Sequence, residues 1–321
     1  MNRMTPMTRM TTTLALLLAC FGITAPVLAQ IETDAPAEKQ DLPAPEIELI
    51  SPGKAPREEL RMSPSLNQTE HLQMIMEMTG ETAMSNGMSM PMDMPKMTML
   101  MDTTAIRQID NETYEIETVY VDITSDPNHE MTPMFEGPFR SMKGMKLRTT
   151  SNTRGIVTKV EIAYPPGFDP TMQQQMEAMR QSLTQMMVPL PDQPIGVGAK
   201  WKVITRATIN SMTVEVASTY ELLNRTKDSF KLRISYDQTA ASQNVTLPQL
   251  PPGTTMKLNK MTGSGSAESE FATATFLPIA SKLNMKNAVD MSMDMGGTPI
   301  DTTTDTDIAM TVERVKPDAK P

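Results

Sequence analysis

The chain is poor in the residues that build covalent cross-links and most catalytic centres. Its 321 residues include one cysteine, Cys20, and two histidines, His71 and His129. A single cysteine cannot form a disulfide within the chain. Two histidines exclude a histidine-rich zinc site, and a Ser-His-Asp triad would have to use one of them. The folded state therefore has to be stabilised by burial of apolar side chains.

The sequence also lacks the common nucleotide-binding and hydrolase motifs. It contains no G-x-x-x-x-G-K-[ST] loop, no dinucleotide fingerprint and no G-x-S-x-G elbow. The segment nearest to such an elbow is Gly263-Ser264-Gly265-Ser266, whose composition predicts a flexible turn. An enzyme would have to use carboxylates alone as acid and base. We therefore predict a protein without catalytic residues and without a cofactor.

The chain also has fewer positively charged residues than negatively charged ones. The chain has 29 Lys and Arg against 38 Asp and Glu, a formal net charge of -9. Binding to the phosphate backbone of a nucleic acid needs a concentrated basic surface, and none is visible. The sequence therefore predicts no nucleic-acid partner.

Aromatic residues are scarce as well, at 4% of the chain, whereas methionine is abundant with 33 residues. Methionine is flexible and apolar, so it fills irregular gaps in a core. We expect a folded protein in which methionine does much of the packing that leucine and valine usually do.

The first 29 residues have the pattern of a secretory signal peptide. Arg3 and Arg9 form a positive segment, and residues 14–21 form a short apolar run. This run is too short to span a bilayer, which needs about 20 apolar residues. Cleavage between Ala29 and Gln30 would release an exported protein that is periplasmic or extracellular.

A second interpretation of the same segment involves the only cysteine. Residues 17–20, Leu-Leu-Ala-Cys, resemble a bacterial lipobox, in which the cysteine is lipidated and becomes the first residue of the mature protein. Cys20 would then anchor the protein to the cell envelope, its only link to a membrane. Both interpretations predict export.

The rest of the chain divides into a linker, one body and a short tail. Residues 30–66 contain six prolines between acidic and small residues, which predicts a disordered or extended linker. Residues 67–315 carry the apolar patterns of a single β-rich domain, and 316–321 form a tail.

Period-two alternation of apolar residues runs through the body and predicts many strands separated by short polar turns. It predicts a mainly β fold: a strongly curved antiparallel sheet, a half-barrel or open barrel, with two similar halves at 67–164 and 198–315. One amphipathic helix at about 170–188, with Asp169 as its N-cap, joins the halves.

The segment Leu190 to Trp201 reads LPDQPIGVGAKW and follows the predicted helix. It resembles an LPxxPVxVGxxW stretch of an uncharacterised family of exported bacterial proteins, a domain of unknown function. The resemblance implies an all-β exported domain and no known activity. Trp201, the only tryptophan, would anchor the following strand.

Methionines cluster between residues 84 and 101. They are Met84, Met88, Met90, Met92, Met94, Met97, Met99 and Met101, and Met291, Met293 and Met295 repeat the pattern. Thioethers suit Cu(I). A Met-x-Met pair on a strand places two of them about 6.6 Å apart along the backbone, within reach of one ion. Copper binding by Met84, Met88, Met90, Met92, Met94 and Met97 is therefore one hypothesis for this segment.

Two further hypotheses use the same methionines without a metal. They could simply pack a core, which leaves a scaffold with no small ligand. They could also line a deformable concave face that binds a hydrophobic or lipid ligand or an envelope partner. The leading prediction is an exported, non-catalytic β protein that binds such a ligand or partner through a methionine-rich concave face.

Overall fold

A computed structural model describes residues 44–179, 187–209, 212–245, 255–294 and 299–317. These ranges contain fourteen strands and two helices. The strands are β1 (Glu46–Ser51), β2 (Thr69–Met84), β3 (Ser89–Asp93), β4 (Met97–Gln108), β5 (Thr113–Ser125), β6 (Lys146–Asn152), β7 (Val157–Ala163), β8 (Lys200–Ile209), β9 (Met212–Arg225), β10 (Ser229–Ala240), β11 (Gln243–Val245), β12 (Thr255–Ala272), β13 (Ala280–Asp294) and β14 (Ile300–Arg314). The helices are α1 (Thr132–Ser141) and α2 (Pro170–Met179).

All strands belong to one antiparallel sheet. Its order is β1-β8-β9-β10-β12-β13-β14-β2-β4-β5-β6-β7, while β11 pairs with β12 and β3 pairs with β2. The two predicted halves are therefore joined edge to edge, because β14 pairs with β2 from Thr302 opposite Met84 to Arg314 opposite Leu72. Strands β1 and β7 are the two ends of this order, and among the described residues they do not pair with each other. The prediction of a mainly β fold with an open antiparallel sheet is confirmed.

The sheet is strongly curved, so that side chains on the inner face contact one another even when their strands are far apart in the sheet order. Tyr114 on β5 lies five strands from β12 in the sheet order, which corresponds to about 24 Å along a flat sheet. Its ring nevertheless lies 6.0 Å from the ring of Phe276, just after β12. Apolar side chains of both halves consequently share one main core, which includes Leu72, Leu147, Leu222 and Leu232.

A second apolar cluster lies at one end of the same inner face and is separate from the main core. We call it the end cluster. Its buried members are Met212, Val214, Val216, Ala240, Val245, Met256, Leu258, Val289 and Met291.

The two helices lie at the connections between strands. Helix α2 begins where the sequence predicts, and Asp169 Oδ1 accepts a hydrogen bond of 3.0 Å from the Met172 amide, as an N-cap does. The predicted end at 188 is wrong, because Met187 and Val188 are not helical, while residues 180–186 lie outside the described residues.

Helix α1 is absent from the sequence prediction. Its ten residues include Pro133, Gly137 and Pro138, which have low helix propensity. Phe135 and Phe139 explain its position, because their rings stack 5.7 Å apart and are buried in the main core. Tertiary packing therefore outweighs local propensity in this segment.

The linker prediction for residues 30–66 is wrong over its described part. Residues 46–51 form strand β1, which pairs with β8, and Leu60 and Met62 are buried in the main core. The described prolines of this part lie outside β1, with Pro45 before the strand and the others after it, so no strand partner requires their missing N–H. Residues 30–43 lie outside the described residues, as do Cys20, Ala29 and Gln30.

The Gly-Ser segment at 263–266 is also not a turn. It lies in the middle of β12 and pairs on both sides, with β10 and with β13. Glycine at position 263 accommodates a neighbouring side chain, because a Cβ there would lie 2.2 Å from Asn287 Oδ1.

Candidate ligand-binding cavity

Two loops pack against each other at the edge of the sheet where β8 begins. We call them the end loops, residues 52–62 and 187–199. Their backbones are joined by hydrogen bonds between Glu58 and Ile195 in both directions, at 3.2 and 2.9 Å, and from Lys54 N to Val197 O at 2.9 Å. Two glycines permit this approach, because a Cβ on Gly196 would lie 1.8 Å from Lys54 O and one on Gly53 would lie 2.2 Å from Gly196 O.

Arginine side chains satisfy backbone carbonyls of the end loops. Arg154 Nε donates to Leu190 O at 2.9 Å, and Arg61 donates to Pro191 O at 3.1 Å. Arg225 donates to the carbonyls of Glu58 and Glu59, at 3.1 and 2.8 Å. Carbonyls in loops lack the neighbouring strand that would otherwise donate to them, and these arginine side chains donate instead.

Trp201 at the start of β8 also contacts the second end loop. Its side chain is fully buried, and its indole Nε1 donates to Pro189 O at 2.9 Å. Its ring stacks on Tyr220 with a centroid distance of 5.3 Å and an interplanar angle of 10°. Leu190, Ile195 and Ala199 of the same segment are also completely buried.

Beside the end loops, the inner face of β9, β10, β12, β13 and β14 encloses a cavity of about 230 Å³. We call it the inner cavity. Its apolar walls include Val188, Ile234, Ala267, Phe271, Leu283, Met285, Met310 and Val312, and two tyrosines, Tyr220 and Tyr236, also line it. None of its lining residues is charged. The cavity is therefore suited to an uncharged, largely apolar occupant.

Burial of the two tyrosines raises the pKa values of their phenol groups. Burial raises the pKa of Tyr220 to about 12, although a hydrogen bond with Ser218 acts in the opposite direction. Burial also raises the pKa of Tyr236, and the neighbouring Tyr220 adds to that shift. Both phenols therefore stay protonated at neutral pH and contribute to the wall as neutral groups.

Ser269 and Ser281 line one end of the inner cavity, and the polar Gln238 side chain lies at the other end. Gln238 and Gly263 line it there and lie opposite each other on β10 and β12. The same row of the inner face continues through Asn287, Thr306 and Gly80 on β13, β14 and β2. We call these five residues the polar row. The polar row lies between two apolar regions of the inner face. Met285 and Ile308 lie on the side of the main core, and Val289 of the end cluster lies on the opposite side.

Two members of the polar row carry buried atoms that lack a hydrogen-bond partner among the described residues. They are Asn287 Oδ1 and Thr306 Oγ1, and their residues are 7% and 2% exposed. Leaving such a group without a partner costs about 1–3 kcal/mol. A ligand or a water molecule that donates a hydrogen bond would recover this energy.

The methionines of the copper hypothesis do not share one environment. Met92, Met94 and Met97 lie in or against the main core. Met84 is buried near the end of β2, Met88 is 52% exposed in the β2–β3 turn, and Met90 is half-buried on β3. Met99 and Met101 also contact the main core. This placement favours apolar packing for most of the segment, and copper binding stays a prediction.

Met291 and Met293 lie in or against the end cluster, together with Met212, Met256 and Met261, while Met295 lies outside the described residues. Strand pairing brings these distant residues together, for example Met256 opposite Met293. The sequence pattern indicates only the local Met291-x-Met293 pair and misses the other three.

The histidines and acidic groups lie on other parts of the surface. His71 Nδ1 lies 2.6 Å from Asp102 Oδ1, and His129 Nε2 lies 3.5 Å from Asp93 Oδ2. In the described part of the chain, no group of three or more His, Cys, Asp or Glu side chains is placed to hold a metal ion.

Sequence reasoning missed the polar row, and only a weak signal for it exists. Asn287 interrupts a run of apolar inward positions on β13, whereas Thr306 follows another inward threonine, Thr304, on β14. A polar residue at an inward position of a strand is informative because burial of polar groups is costly.

None of the helices in the described ranges combines the length and apolar character that a membrane crossing needs. Two solved structures are similar in part. The outer membrane protease OmpT from Escherichia coli is 8% identical over 80% of this chain and 99% of that chain, with a TM-score of 0.22. A loop L8 deletion mutant of OmpT, an outer membrane protein of Vibrio cholerae, is 6% identical over 76% and 99%, with a TM-score of 0.18. At such TM-scores the chain paths differ, and nothing about function follows.

No curated protein matches this sequence. One family of unknown function, DUF6263, matches residues 82–278, which is more than half of the chain. The matched range contains α1, α2, the second end loop, Trp201, and Gln238 and Gly263 of the inner cavity. The chain therefore belongs to the family of unknown function DUF6263.

Proposed function

We propose that the protein is exported and binds a small hydrophobic ligand in the inner cavity, without catalysing a reaction. The observation that carries the proposal is a cavity of about 230 Å³ whose lining is largely apolar, includes a few neutral polar side chains and contains no charged residue. An apolar cavity of about 150 Å³ takes up benzene in another protein. The inner cavity therefore has room for a small aromatic molecule or a short acyl chain.

The methionines of the wall support the same function. Met285 and Met310 line the inner cavity from β13 and β14. Their side chains are unbranched and flexible, so they adapt to occupants of different shape. These two methionines support the proposal that a concave face containing methionine binds the ligand.

The test is binding of N-phenyl-1-naphthylamine, an uncharged hydrophobic fluorophore, to the purified protein. We expect saturable binding with one site per chain and an increase in fluorescence. Ala267 lines the inner cavity and is 4% exposed, so Ala267→Leu fills part of it. This variant should bind at least about tenfold more weakly, because the probe competes with the added side chain.

Ala280→Leu is the matched control, because Ala280 is exposed at the start of β13. It should bind the fluorophore as the unchanged protein does. Binding that is absent, or equally strong in the Ala267→Leu and Ala280→Leu proteins, would remove the ligand function and leave a scaffold.

Export is supported by the signal-like first 29 residues and by a single cysteine at position 20. Expression of the full chain in a bacterium, followed by mass measurement of the mature protein, distinguishes the two maturation routes. Cleavage after Ala29 leaves a protein that begins at Gln30, whereas lipidation leaves one that begins at a modified Cys20. An unprocessed chain that starts at Met1 and stays in the cytoplasm would contradict the proposal.

A further inference from the structure

We infer that the ligand is an uncharged amphiphile whose head group donates a hydrogen bond, with this head group at the polar row and its chain in the inner cavity. The inference rests on the proposed function and specifies its ligand class. It starts from Asn287 Oδ1 and Thr306 Oγ1, the two buried atoms without a hydrogen-bond partner among the described residues.

These two atoms belong to neighbouring strands. Asn287 on β13 lies directly opposite Thr306 on β14, and both side chains are on the inner face. On the other side of Thr306 lies Gly80, which has no side chain to offer as a partner. A single small polar group between the strands could therefore serve both atoms.

The polar row reaches the inner cavity through Gly263. This glycine lines the cavity and pairs with Asn287, whose Oδ1 lies 2.2 Å from the position that a Cβ on Gly263 would take. Gln238, which also lines the cavity, flanks Gly263 on the opposite side, with its Cβ 3.3 Å from the same position. The Asn287 oxygen therefore lies beside Gly263 at this end of the inner cavity, close to the Gln238 side chain.

The surrounding groups exclude a charged head group. The inner cavity has no charged lining residue, and the adjacent inward positions of β2 and β14, Thr82 and Thr304, are neutral and buried. Lys286, Asp305 and Asp307 alternate with the inward residues and are exposed on the outer face. A carboxylate or ammonium group here would lose its hydration without gaining an opposite charge.

The head group also has to be a donor. Asn287 Oδ1 accepts only, so an ether or ester oxygen would leave it without a partner. A hydroxyl or a primary amide donates to this oxygen and can also accept from the Thr306 hydroxyl. Fatty alcohols and fatty amides have this chemistry.

The test compares three probes of similar length in calorimetric titrations of the purified protein: 1-octanol, octanoate, and 1-methoxyheptane, which has as many heavy atoms as octanol but no donor. We expect octanol to bind at least about tenfold more tightly than either of the others. In Asn287→Leu, octanol and methoxyheptane should bind within about threefold of each other. Asn284→Leu, an exposed position on the same strand, should keep the preference.

Thr306→Val serves as a second variant with nearly unchanged shape, so the test remains decisive if Asn287→Leu does not fold. It should reduce the preference for octanol over methoxyheptane. Equal binding of these two probes by the unchanged protein would overturn the inference while keeping the proposed function, and it would indicate that water satisfies the polar row. A preference that survives in Thr306→Val and in a folded Asn287→Leu would also overturn it. Binding of none of the three probes would overturn the proposed function itself.

Discussion

Replacing Trp201 with alanine is expected to lower the free energy of unfolding by about 3–5 kcal/mol. The side chain is completely buried, stacks on Tyr220 and donates a hydrogen bond to Pro189 O. Alanine removes the ring, leaves a cavity and leaves that carbonyl without its donor. The loss should exceed that of most single substitutions, because Trp201 holds the second end loop against the sheet.

Urea unfolding followed by circular dichroism measures this effect. Trp201→Phe keeps an aromatic ring but removes the indole N–H, so we expect a smaller loss. Val121→Ala is a control on β5, where the side chain is 39% exposed. It should change the free energy of unfolding by no more than about 0.5 kcal/mol. A Trp201→Ala protein as stable as Val121→Ala would show that the end loops do not depend on this anchor.

Gly196→Ala is expected to destabilise the protein by about 1–3 kcal/mol or more, because the added methyl group has no space. Its Cβ would lie 1.8 Å from Lys54 O and 2.8 Å from Pro56 O, and both are backbone atoms of the first end loop. The two end loops can accept this group only by moving apart. Separation would break the hydrogen bonds between Glu58 and Ile195.

Limited trypsin digestion gives a local readout, since the first end loop contains Lys54, Arg57 and Arg61. Cleavage there should be faster in Gly196→Ala, and the midpoint of urea unfolding should fall. Gly137→Ala is the control: a Cβ on Gly137 meets nothing within 4 Å, and alanine favours the helix in which this residue lies. Unchanged cleavage and stability in Gly196→Ala would contradict the close packing of the two loops.

Local patterns were sufficient for much of the secondary structure. The alternation Leu72, Met74, Met76 and Met78 predicts a strand with these residues on one face, and β2 has them in or against the main core. Asp169 with Pro170 predicts the start of α2 correctly. These features depend on residues a few positions apart, which is the range over which side-chain periodicity and capping act.

Segments without a local pattern were predicted wrongly or not at all. Strand β1 is stabilised by pairing with β8. The first end loop is stabilised by the second end loop, for example through Glu58 and Ile195, which are about 137 residues apart in the sequence. Helix α1 is stabilised by burial of Phe135 and Phe139 in spite of its prolines. Composition rich in proline or glycine indicates weak local preference, and tertiary contacts then decide the conformation.

The features of the candidate site were likewise determined partly by local sequence and partly by tertiary contacts. The sequence by itself determined a mainly β fold and a core rich in methionine. Only the tertiary structure decided which inward residues meet. Pairing of β10, β12, β13 and β14 placed Gln238, Gly263, Asn287 and Thr306 in one row beside the inner cavity. The physical reason is that periodicity specifies the face of a side chain, whereas strand order and register, which are set by contacts distant in sequence, specify its neighbours.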